Sequence, residues 1–183
     1  MRSKSLYTIL HISSSKKMAE KDQILKEKLE HSGVFDFPSV YSFAHSLFKE
    51  EGYGVNEDKY SEKVSSGKRD ITIEWKVTKD ISDYFKEEYK VKFEISDMTE
   101  VEVEIESQRK KMNKGKIVIE VTGNLIKDKD HKWETSAFNR FVRDVYNKYI
   151  IPSRIDERKG KVANTCRSFL EEIKKFLELS GKR

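Results

Sequence analysis

Residues 71–78 read ITIEWKVT, and this stretch decides the fold class. Ile71, Ile73, Trp75 and Val77 alternate with Thr72, Glu74, Lys76 and Thr78. That is the period of two expected of a strand with one buried and one wet face. The same alternation recurs downstream. Tyr89, Val91, Phe93 and Ile95 alternate with Lys90, Lys92, Glu94 and Ser96; Val101, Val103 and Ile105 alternate with Glu100, Glu102, Glu104 and Glu106. Ile117, Ile119 and Val121 form a fourth set, interrupted only by Val118. Asn113-Lys114-Gly115 stands before it and predicts a hairpin turn, because Asn and Gly tolerate positive φ. One-sided alternation of this kind implies an antiparallel sheet packed on one face by helices.

The flanks predict those helices. Residues 20–31 read as a charged helix with a narrow stripe of Ile24, Leu25 and Leu29, ended by Gly33. Pro38 and Ser39 open a second, carrying Val40, Tyr41, Phe43, Ala44, Leu47 and Phe48 and stopped by Gly52 and Gly54. Tyr60 and Val64 are candidates for a short strand. Residues 134–150 read as a long amphipathic helix with Phe138, Phe141, Val142, Val145, Tyr146 and Tyr149 on one face. Thr135 or Ser136 suits its cap, and Pro152 bars its continuation. A last helix is expected over 160–179. The predicted class is α+β: a four-stranded antiparallel β-meander flanked by N-terminal helices and packed against two C-terminal helices. Strands and crossover helices do not alternate, which argues against a doubly wound sheet.

Residues 18–183 are expected to form one domain. Residues 1–17 show no sustained period, and are expected to be a disordered extension or to precede a true start at Met18. Their cations Arg2, Lys4, Lys16 and Lys17 account for four of the five net positive charges of the chain, leaving +1 for the rest. Net charge by itself therefore says little about nucleic acid. The lone Cys166 excludes an intramolecular disulfide and a cysteine zinc cluster; within its helical pattern it reads as a small buried hydrophobe. No stretch reaches the run of about 20 apolar residues that a crossing helix needs. A cytoplasmic location with no membrane partner is the expectation.

Motifs that carry chemistry are missing from the sequence. Gly52-Tyr53-Gly54 lacks the Lys-Ser/Thr of a phosphate loop. His11, His31, His45 and His131 show no metal-ligand spacing, and there is no serine-nucleophile elbow. No catalytic residue, metal or cofactor is assigned, so enzyme activity ranks last. Glu100, Glu102, Glu104 and Glu106 form a row whose carboxylates suit a divalent cation or an acid–base pair. Pairing with Lys90, Lys92 and Lys116 on neighbouring strands explains the row without either.

Two groups of residues are site candidates. From His131 onward 13 Lys and Arg stand against 7 acids, a balance of +6. Among them Arg140, Arg143, Arg154, Arg158, Lys159 and Lys161 are candidates for phosphate or an acidic partner. Separately, Trp75, Tyr89, Phe93, Phe138, Phe141 and Tyr146 are candidates for an apolar pocket between sheet and C-terminal helix, the architecture of helix-grip carriers. Such an aromatic set also suits an ordinary core.

Phe48-Lys-Glu-Glu-Gly-Tyr53, Met112-Asn-Lys-Gly115, Tyr146-Asn-Lys-Tyr-Ile150 and Arg154-Ile-Asp156, taken with Trp75 and Lys132-Trp133-Glu134, resemble a group of uncharacterised archaeal proteins over about residues 40–180. The resemblance implies no activity, ligand or partner. Three readings follow from the residues. The first is a non-catalytic binding or scaffold domain acting through a protein partner. The second is a nucleic-acid binder using the basic C-terminal third. The third is a helix-grip-like carrier of an apolar small molecule. Oligomeric state is not legible.

Overall fold

The computed structural model describes residues 20–105, 108–128, 130, 133 and 136–181. The extension expected over residues 1–17 lies outside them, as do Glu106 and Thr135.

Five antiparallel strands form one sheet: β1 (Glu20–Phe35), β2 (Gly54–Ser65), β3 (Lys68–Asp80), β4 (Phe85–Ile105) and β5 (Gln108–Lys127), in the order β1-β5-β4-β3-β2. Helix α1 (Phe37–Glu50) links the two edge strands, and α2 (Ala137–Val145), a π-helical turn (Tyr146–Ile150) and α3 (Pro152–Gly181) follow the sheet. The class is α+β, as the alternation implied. The strand number, the N-terminal helices and the packing of the second-last helix need correcting: α2 buries none of its residues against the sheet.

Residues 20–31 are strand, not helix. The Lys, Glu and Leu there favour a helix locally, but β5 needs a partner on its second edge, where unpaired backbone groups would otherwise remain. Residues 20–35 supply it, pairing from Glu20↔Lys127 to Phe35↔Asn113. After a bulge between Gln23 and Leu25, Leu25, Glu27 and Leu29 share one face. Leu25 and Leu29 pack on the core. Glu27 interrupts the apolar alternation there and meets Arg167 of α3 at 3.4 Å. Only one N-terminal helix remains: Asp36 caps α1 by accepting from the Ser39 N–H at 3.3 Å.

The second and third predicted strands are one, β4, bent where Ser96↔Lys116 gives way to Thr99↔Lys114. Asp97 takes a φ of 54° there, and a Cβ on Gly115 would stand 2.8 Å from the Ser96 carbonyl oxygen. Gly115 is therefore needed for the close approach of two strands. Asn113-Lys114-Gly115 is not a turn but lies inside β5, where the Asn113 Oδ1 accepts from the Phe37 N–H at 3.1 Å. The glutamate row is corrected as well. Glu102 and Glu104 lie opposite Lys111 and Arg109, whereas Lys90, Lys92 and Lys116 lie beyond the bend.

Cross-strand rows build the core face: Ile73–Phe93–Ile119, Trp75–Val91–Val121 and Val77–Tyr89–Gly123. Tyr41 of α1 meets Trp75 edge-on at 4.9 Å, and Phe48 meets Tyr89 at 5.6 Å. Helix α3 lies over β5 and β1 and buries Val162, Cys166, Phe169, Leu170, Ile173 and Leu177 at helical spacing. A second, smaller cluster of Phe85, Leu125, Ile151 and Ile155 closes the end of the sheet where α3 begins. Among the described residues no helix is long and apolar enough to cross a membrane.

Candidate functional site

Pro152 occupies the first helical position of α3, where its missing N–H costs nothing. The helix therefore starts eight residues earlier than the sequence pattern suggested. Arg154 and Arg158 then fall one turn apart on the same face. That face looks onto the tight β3–β4 connection. Ser82 shapes the connection: its Oγ accepts from the Tyr84 and Phe85 N–H groups at 3.2 and 3.1 Å. The Ile81 N–H closes it onto the Phe85 carbonyl at 3.0 Å.

The π-helical turn supplies the third wall. Its wide closure, from the Ile151 N–H to the Tyr146 carbonyl at 3.1 Å, sets Tyr146 beside Tyr84, with ring centres 6.1 Å apart at 73°. Trp133 stacks on Tyr146 as well, at 6.2 Å and 11°. The Tyr84 hydroxyl donates to Asn147 Oδ1 at 2.7 Å, which fixes the ring. The result is a cleft of about 260 Å³ lined by Ile81, Ser82, Tyr84, Phe85, Tyr146, Ile151, Arg154, Glu157 and Arg158.

The electrostatics of the basic candidates differ one from another. Neither Arg154 nor Arg158 has an ion-pair partner among the described residues. Arg154 lies in the first turn of α3, near the positive end of the helix dipole, where a cation is disfavoured and an anion is welcome; Arg158 lies one turn further along. Arg143 is occupied, its Nη2 3.1 Å from Asp144 Oδ1. Lys159 is 3.4 Å from Asp22, which also holds the buried Lys127 at 3.3 Å. Arg140 and Lys161 are exposed, Arg140 on α2 and Lys161 further along α3. Of the six, Arg154 and Arg158 alone share the cleft.

The six aromatic candidates are not brought together. Trp75, Tyr89 and Phe93 are buried in the close-packed core. Phe138 and Phe141 are exposed on α2, and Tyr146 packs on the smaller cluster. Sequence reasoning missed Tyr84 and Phe85. Their signal was two adjacent aromatics in the short ISDYF segment between two alternating strands, a place where turn residues are polar by default.

A buried polar cluster also escaped notice. Glu87 is fully buried on the helix-covered face of β4. Its Oε2 accepts from Tyr53 at 2.6 Å and from Tyr89 at 3.2 Å, while Oε1 has no partner. Burial, and then the adjoining carboxylate, push the Tyr53 hydroxyl well above the usual phenol range. Burial and the Tyr53 contact do the same to Tyr89. The cluster is enclosed, so it braces the core rather than meeting a substrate. Cys166 is buried against Gly123, and desolvation with the nearby Glu27 charge pushes its thiol up to about 12. Among the described residues no three His, Cys, Asp or Glu side chains converge to hold a metal ion.

Compared with known proteins, the chain matches no family model, no curated protein and no solved structure.

Proposed function

We propose that the protein is a non-catalytic binding domain that takes phosphate groups of a nucleic-acid strand in the cleft at the start of α3. The observation that carries this reading is the pair Arg154 and Arg158, one helical turn apart and without carboxylate partners, on a cleft floored by Tyr84, Phe85 and Tyr146. Guanidiniums recognise phosphate oxygens by paired hydrogen bonds. Beside them the half-exposed Tyr84 ring offers a surface for an unpaired base, the combination used by single-strand binders. The +6 balance of the chain from His131 onward adds long-range attraction. An acidic protein would satisfy the same guanidiniums, but it gives the aromatic floor no role.

The test is fluorescence anisotropy of a labelled single-stranded oligonucleotide at several salt concentrations. Affinity should fall steeply with salt. The double variant Arg154→Glu/Arg158→Glu should bind at least about tenfold more weakly, with a salt slope shallower by about one for each lost contact. Unchanged affinity in that variant rejects the reading.

A further inference from the structure

The α2 segment presents apolar side chains that nothing in the described structure covers. Phe138, Phe141, Tyr149 and Ile150 are 71%, 65%, 68% and 65% exposed. No residue of Ala137–Val145 or of the following π-helical turn is buried. Phe138, Phe141 and Val145 fall on one side of the helix, at intervals of three and four residues. Exposed aromatic patches of this kind mark a docking surface.

Charge identifies the occupant. Arg140 is exposed and has no ion-pair partner among the described residues. Lys148 lies over the Tyr149 ring at 5.3 Å, on the rim of the patch. Residues 1–19 hold Arg2, Lys4, Lys16 and Lys17 and no acid, and the chain enters the sheet at Glu20, paired with Lys127, from which the chain runs on to α2. Like charge works against a second copy of this surface and against the chain's own basic start as the cover. The flanking cations favour an anionic occupant. The patch is also a projecting helix face rather than a groove, with the adjoining π-helical turn as its main neighbour. A lipid surface accepts protruding aromatics without a matching cavity, while its headgroups meet the flanking cations.

We propose that α2 and the turn after it seat on an anionic phospholipid surface. Phe138, Phe141, Tyr149 and Ile150 enter the boundary between headgroups and acyl chains, and Arg140 and Lys148 lie at phosphate level. This is a peripheral seat; the lack of a long apolar run speaks only to crossing. It shares the π-helical turn with the Arg154–Arg158 cleft, but Phe138, Phe141, Tyr149 and Ile150 do not line that cleft, and the proposal does not depend on it.

The experiment is flotation of the full chain with phosphatidylcholine vesicles, with and without phosphatidylserine. The chain should float with the phosphatidylserine vesicles and stay behind with the neutral ones. Phe138→Ser/Phe141→Ser should cut the bound fraction about tenfold while its thermal melt matches the wild type, since both side chains are exposed. Three results overturn the proposal. One is no flotation with phosphatidylserine vesicles. Another is equal flotation of the double variant, which reduces the interaction to charge. The third is a wild-type dimer that the double variant dissolves, which assigns the patch to a second copy.

Discussion

Gly123 of β5 lies so close beneath Cys166 of α3 that a Cβ at Gly123 would stand 2.7 Å from the Cys166 Sγ, and equally close to Val162 Cγ1. The absent side chain sets the depth at which α3 rests on the sheet. Gly123→Ala should lower stability by about 1–3 kcal/mol through overpacking. A denaturant melt measures it; the paired change Gly123→Ala/Cys166→Ala should recover part of the loss by vacating the space the methyl needs.

The buried Cys166, Tyr53 and Tyr89 also govern behaviour in alkali. The Cys166 thiol is raised from 9.0 to about 12, and the Tyr53 and Tyr89 hydroxyls are raised above 10.0. The folded chain keeps these protons at a pH where the unfolded chain releases them. The contribution to stability is therefore complete below pH 9.0 and is lost as pH climbs through 9.0 towards about 12. Melting temperature against pH should decline over that window, and Cys166→Ala should flatten its early part. A native-state thiol assay at pH 8 should find Cys166 unreactive until the protein is unfolded.

Tyr53→Phe removes the shorter of the two hydrogen bonds received by Glu87 Oε2, at 2.6 Å. The carboxyl is fully buried and its other oxygen is already unpartnered. The change should cost about 1–3 kcal/mol, the penalty of leaving a buried acceptor less satisfied. Tyr89→Phe, which removes the 3.2 Å bond, should cost less. Thermal or denaturant melts of the two variants rank them, and the reverse order would show that Tyr89 is the main support.

The conformation of residues 25–35 can be tested without mutation. As an edge strand, β1 bonds to β5 along one side only. Amide exchange read residue by residue should show slow and fast amides alternating along it. A helix would protect consecutive amides instead.

The sequence by itself determined the class of the fold and most of its core. Ile71 to Val77, Tyr89 to Ile95 and Ile117 to Val121 alternate so regularly that their burial followed from the pleat, where neighbouring side chains must face opposite ways. The core helices were legible for a similar reason, through spacing that places Val40, Ala44 and Phe48, or Cys166, Phe169 and Ile173, on one face. The state of residues 20–31 was decided only by tertiary structure. Their helix-favouring composition is a weak local preference, and the open edge of β5, 86 residues away even at the nearest pairing, His31↔Ile117, outweighs it. The bend in β4 and the place of Gly115 were likewise settled by the close approach of two strands, which leaves no mark on either strand's periodicity. The cleft belongs to the same category. Arg154 and Arg158 stood out as charges in the sequence, but their distinction from Arg143 and Lys159 comes from Asp144 and Asp22, which take up the latter two and leave the former open. Which cations are free depends on which carboxylates the folded chain brings within a few ångströms of them.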